Sequence, residues 1–173
     1  SDYEKIYDEN KNIFLELEDN KSEEITVIPF KKPNAVQEEA LAVLKKARNE
    51  LNQNKGLVVM ATGLGKTILA ALDVVQFRPK KILFVAHREE ILIQSKNAFK
   101  NFIPNKKYGF YKGKNKDTKN EYIFASIQTI GKKSQLEKFR KDEFDYIIVD
   151  EFHHVGAKSY KNLVDYFKPK FFL

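Results

Sequence analysis

Apolar residues recur at two spacings along this 173-residue chain, and the switches between them outline a fold. Val36, Ala40, Leu41, Val43, Leu44, Ala47 and Leu51 follow helical spacing from Ala35 onward. Asn52-Gln53-Asn54-Lys55-Gly56 ends that helix. Leu57-Val58-Val59-Met60 is a short unbroken apolar run, the mark of a strand buried on both faces. Thr67 to Phe77 reads as a helix closed by Arg78-Pro79, and Ile82-Leu83-Phe84-Val85 as a second buried strand. Glu89 to Phe102 predicts a helix ending near Pro104. Tyr108–Tyr111 and Tyr122–Ala125 read as strands flanking a lysine-rich loop. A short helix is expected over Leu136–Phe139, a buried strand over Tyr146–Val149, and a helix over Tyr160–Phe167. Lys170–Leu173 begins a last strand. Buried strands alternating with helices predict an α/β domain with a mostly parallel sheet covered on both faces.

Composition narrows the chemistry. The absence of cysteine excludes disulfides, thiolate metal sites and thiol nucleophiles. No apolar run nears the roughly 20 residues needed to cross a membrane, and no signal peptide opens the chain, so the expected setting is cytoplasmic. The net charge of +7 is unevenly spread. Residues 1–24 hold nine acids against three lysines, a net −6 that leaves +13 for the rest. Residues 1–30 are therefore set apart as an acidic segment, either a linker or a surface helix packing Ile13, Phe14 and Leu17, and residues 31–173 as the domain that carries every motif.

Met60-Ala61-Thr62-Gly63-Leu64-Gly65-Lys66-Thr67 joins an expected strand to an expected helix, the context that a phosphate-binding loop requires. Gly63 and Gly65 let backbone amides turn inward around an anion, beside the positive end of the helix dipole. Lys66 is expected to reach the terminal phosphates of ATP, and the Thr67 hydroxyl to bind Mg2+. The strict pattern starts with glycine where this chain has Met60. Asp150-Glu151 follows the strand Tyr146–Val149, at the end of a parallel sheet where ligands sit. Asp150 is placed to hold Mg2+, and Glu151 to orient or deprotonate an attacking water. The adjacent His153 and His154 project in different directions without a third ligand, so His153 is read as hydrogen-bonding the acid pair to its surroundings.

Together these motifs resemble superfamily-two helicases and translocases of the DEAD/DEAH-like group, in particular the helicase domains of type I and type III restriction enzymes. Ala61–Thr67 resembles motif I, Val85–Leu92 motif Ia, Ala125–Ile130 the following nucleic-acid-contacting motif, and Asp150-Glu-Phe-His153 motif II. The resemblance covers about Pro33 to Leu173 and implies the first of two RecA-like domains. It implies that Thr62, Gly63, Leu64, Gly65, Lys66 and Thr67 bind ATP, and that Gln37 reads adenine. It further implies that His87, Arg88, Ser126, Gln128 and Thr129 touch the phosphate backbone of a nucleic acid, DNA in a restriction-like relative. Other readings stand beside these: Gln37 as a solvated helix residue, Ser126 and Thr129 as caps of a helix beginning near Gly131, and the stretch Lys106–Lys119 as a solvated loop.

By that resemblance, ATP binds between two RecA-like domains, and an arginine from the second completes the site. The sequence begins at Ser1 and ends in Phe171-Phe172-Leu173, before the family's next motif, which reads as an excised piece. The expectation is a nucleic-acid-dependent ATPase in the full-length protein and slow or absent turnover by this piece. The competing classes are a phosphate-loop kinase acting on a small acceptor, and a non-catalytic nucleic-acid-binding module.

Overall fold

The computed structural model describes residues 33–60, 65–151 and 157–173. The segment assigned to residues 1–30, the loop residues Thr62, Gly63 and Leu64, and His153 lie outside the described residues. Helix α1 spans Ala35–Asn49, α2 Gly65–Phe77, α3 Glu89–Phe102, α4 Ile127–Ile130, α5 Lys133–Leu136 and α6 Ala157–Tyr166. The strands are β1 (Ile82–Ala86), β2 (Tyr108–Lys112), β3 (Asn115–Lys116), β4 (Tyr122–Ser126), β5 (Tyr146–Val149) and β6 (Phe171–Phe172).

The six strands form one sheet in the order β3-β2-β4-β1-β5-β6. Every pairing is parallel except the β2–β3 hairpin. Period-two alternation sends side chains to opposite faces. Ile82, Phe84, Phe124 and Ile148 join α1, α2 and α3 in one core, while Leu83, Val85, Ile123 and Ile147 join α4, α5 and α6 in another. Two cores on one sheet explain why β1 and β4 read as unbroken apolar runs: all five residues of each are buried. Each fully buried Phe, Leu or Ile contributes about 1.5–3 kcal/mol of transfer free energy.

Local chemistry sets the helix ends. The Asn34 side chain accepts from the Gln37 N–H at 2.9 Å, and the Gln37 side chain accepts from the Asn34 N–H at 3.0 Å, a reciprocal cap on α1. After α2 the chain turns through Arg78, at φ +54°, immediately before Pro79. The tight β2–β3 turn runs through Gly113 at φ +51°, a conformation that suits a residue without a Cβ.

One buried charge group ties the helices to the sheet. Asp73, fully buried in α2, accepts two hydrogen bonds from the Arg48 guanidinium at 2.6 and 2.8 Å. It also accepts from Gln76 Nε2 and from the Tyr146 hydroxyl, each at 2.6 Å. The guanidinium lies 4.5 Å from the Phe77 ring centroid and 4.8 Å from that of Phe171. Burial and the facing Asp73 push the Tyr146 hydroxyl pKa well above its usual range, which keeps it a donor.

Several expectations from the sequence are corrected. Leu57–Met60 is not a strand buried on both faces. Leu57 and Val59 are 84% and 86% exposed, while Val58 and Met60 pack on the first core. The reason is pairing: among the described residues no ladder forms along this stretch, and a single bridge just before it, from Lys55 to Phe172, joins the outer side of β6. The short helix falls at Lys133–Leu136 rather than Leu136–Phe139, and Leu136 and Phe139 both enter the second core. The helix expected near Gly131 instead begins at Ile127. The stretch Lys106–Lys119 is not simply a solvated loop, since it contains all of β2 and all of β3.

Candidate functional site

Parallel pairing aligns three strand ends. Ala86 pairs with Ser126 and Val85 with Val149, so His87, Ser126 and Asp150 leave the sheet at the same edge. The Asp150 N–H donates to the Val85 carbonyl at 2.9 Å, which carries the ladder one step past β5. Gly65, Lys66 and Thr67 form the first turn of α2 at this same edge. Lys66, Thr67 and Asp150 line one cavity of about 70 Å³, together with apolar residues such as Leu69, Phe84 and Ile148.

The electrostatics follow from this placement. Burial raises the Asp150 carboxyl pKa above its usual range and Glu151 adds to the rise, while Lys66 and His87 oppose it. The Glu151 backbone sits at φ +51°, in the left-handed region that costs a residue with a Cβ about 1–2 kcal/mol. Glu151 Oε2 is buried and accepts no hydrogen bond among the described residues, with His87 Nδ1 at 3.6 Å. Strain and a buried, unfilled acceptor are costs to folding, and functional sites are where such costs persist.

The hard oxygen donors around the cavity, the Thr67 hydroxyl and the Asp150 carboxylate, fit Mg2+. No cluster of three or more His, Cys, Asp or Glu able to hold a metal occurs among the described residues.

Gln37 is 5% exposed, which overturns its reading as a solvated helix residue. Its Oε1 serves the α1 cap, and its Nε2 donates to the Gly65 carbonyl at 3.3 Å, joining α1 to the start of α2. One lone pair and one N–H of the amide remain for another partner. The residues assigned to nucleic-acid contact converge. Gln128 Nε2 donates to the His87 carbonyl at 2.8 Å. The Ser126 hydroxyl donates to Thr129 Oγ1 at 2.9 Å, and the Gly113 N–H to the same oxygen at 3.3 Å. Ser126 stands at the N-cap position of α4 without a side-chain capping bond. Arg88 is exposed at the N-terminus of α3.

Sequence reasoning missed Tyr160. Its side chain is 1% exposed, and its hydroxyl pKa is pushed up to about 12 by burial and by the charges of Asp150 and Glu151. In the sequence Tyr160 reads only as an apolar position of its helix, on the face shared with Leu163 and Phe167.

Residues 30–173 match the family model described as "Type III restriction enzyme, res subunit". A protein of Saccharomyces cerevisiae named as an ATP-dependent helicase, IRC3, is 33% identical over 122 residues, 64% of this chain and 17% of its own length. The type I restriction enzyme EcoAI endonuclease subunit of Escherichia coli is 33% identical over 130 residues, 66% of this chain and 15% of its own length. The chain thus spans less than a fifth of these curated relatives. The crystal structure of the UvsW helicase from bacteriophage T4 superposes with a TM-score of 0.65 at 18% identity, covering 88% of this chain and 55% of that one. At that identity the likeness is one of fold.

Proposed function

The chain belongs to the ResIII family, and on that footing we propose that residues 31–173 are the ATP-binding RecA-like domain of a nucleic-acid-dependent ATPase, a helicase or translocase directed to DNA. The observation that carries this reading is that Lys66, Thr67 and Asp150 line one small cavity, with Lys66 and Glu151 close enough to shift the Asp150 carboxyl in opposite directions.

In this reading the Lys66 ammonium balances charge on the terminal phosphates. Thr67 and Asp150 hold Mg2+, which supplies further neutralisation of the phosphate oxygens when bound. Glu151 positions a water and takes its proton, and its buried unfilled oxygen leaves a lone pair for that task. Gln37 reads the adenine edge with the lone pair and N–H left over from its structural bonds. His153 links the acid pair to its surroundings. His87, Arg88, Ser126, Gln128 and Thr129 contact phosphates without reading sequence, which gives affinity rather than selectivity. A second RecA-like domain supplies the completing arginine, so the present chain by itself hydrolyses ATP slowly.

The test is ATP turnover by the full-length protein with and without DNA or RNA. Lys66→Ala and Glu151→Gln each lower turnover by about a hundredfold or more. Retention of wild-type turnover by either variant refutes the site assignment, and stimulation by RNA alone refutes the DNA preference.

A further inference from the structure

A basic strip runs from the candidate site down one side of the sheet. Its upper end is Lys112, the last residue of β2, whose Nζ lies 2.9 Å from Glu89 at the start of α3. Below it, α3 presents Lys96 and Lys100, one helical turn apart and on one face. Lys96 Nζ lies 4.3 Å from the Phe110 ring centroid and Lys100 Nζ 5.7 Å from that of Tyr108, while Lys112 Nζ lies 5.1 Å from the Phe110 centroid. Among the described residues neither Lys96 nor Lys100 has a carboxylate partner.

The pair is unfavourable as it stands. Like charges at this helical spacing destabilise a helix by a few tenths of a kcal/mol, and burial together with the charge of Lys100 draws the Lys96 pKa down. Contact with the Phe110 and Tyr108 rings draws both ammonium groups toward β2. An arrangement of this kind is stabilised by an anion laid across it. The strip also meets the candidate phosphate-contact residues: Arg88 adjoins Glu89, and the Gly113 N–H that follows Lys112 bonds Thr129. Glu89 to Lys100 is eleven residues of helix, about 16 Å, or about five nucleotides at the rise of a B-form strand.

We propose that Lys96, Lys100 and Lys112 extend the nucleic-acid track, holding the phosphodiester backbone of the strand that leaves the Arg88–Thr129 site. The contact is independent of sequence, because lysine on phosphate carries no base information. This rests on the nucleic-acid reading above.

The experiment uses the full-length protein and measures affinity for two DNA oligonucleotides over a salt series, the longer exceeding the shorter by about five nucleotides. For the wild type, the longer oligonucleotide binds tighter and shows the steeper salt dependence. K96Q/K100Q removes two phosphate contacts and lowers the log–log salt slope for the longer oligonucleotide by about 1.4–1.8, and its affinity no longer rises with the added length. K96R/K100R, which keeps the charge, retains both the slope and the gain from length. An unchanged slope and length gain in K96Q/K100Q overturns the proposal. So does equal loss in the Arg and Gln variants, which would assign the lysines to packing alone. A wild-type protein that binds neither oligonucleotide refutes the nucleic-acid reading itself. Loss by K96Q/K100Q against a binding wild type and a binding Arg variant supports the track.

Discussion

The strand β5 has carboxylates at both ends, and they are treated in opposite ways. At its start, Tyr146 helps to close a group in which Asp73 receives four hydrogen bonds, two of them from one bidentate guanidinium. Past its end, Asp150 is held at a raised pKa and Glu151 keeps a buried oxygen without a hydrogen bond among the described residues, on a backbone at φ +51°. One end is satisfied and the other is primed. Breaking a buried ion pair leaves a naked charge in the interior, whereas altering a strained, under-bonded acid relieves a cost. The lesson is that burial of a carboxylate says little until its partners are counted.

Substitutions separate the two ends. The largest effect on stability is expected from Asp73→Ala, which strands Arg48 between two aromatic rings and costs about 3–5 kcal/mol in urea unfolding. Glu151→Gln, by contrast, is expected to remove turnover while leaving the unfolding midpoint nearly in place. A large fall in its midpoint would show that the acid pair is structural after all. Tyr146→Phe is intermediate: the hydroxyl bond to Asp73 is lost but the ring stays packed, for about 1–2 kcal/mol by the same measurement. The smallest effect has the opposite sign. Glu151→Gly relieves the left-handed backbone and is expected to stabilise the chain by about 1 kcal/mol or less while abolishing turnover. A destabilised Glu151→Gly would mean that this side chain contributes to packing, and the contrast between the two ends would weaken.

The parallel sheet, and the two sequence segments that meet in the candidate site, were legible because each rests on a short, local pattern. Ile82–Val85 and Tyr146–Val149 are apolar runs with both faces covered, and Gly65-Lys66-Thr67 and Asp150-Glu151 are contiguous. The Arg48–Asp73 pair was not legible, since its partners lie 25 positions apart and only the packing of α1 on α2 joins them. Tyr160 was hidden for a related reason, as an apolar position whose hydroxyl matters only once β5 lies beside it. Leu57–Met60 was misread because an apolar run reports a taste for burial, not the presence of a neighbour to provide it. The β2–β3 hairpin was missed because Asn115 and Lys116 are both exposed and leave no alternating trace.

The exposed side chains of Leu57 and Val59 have a practical corollary. They flank β6, where the ladder narrows to one bridge, so this margin of the sheet offers apolar surface beside sparsely paired backbone. Margins of that kind are where separate chains adhere to one another. For this stretch of polypeptide handled by itself, crowding in the tube is then a hazard distinct from heat: molecules can clump by their rims while every core remains folded.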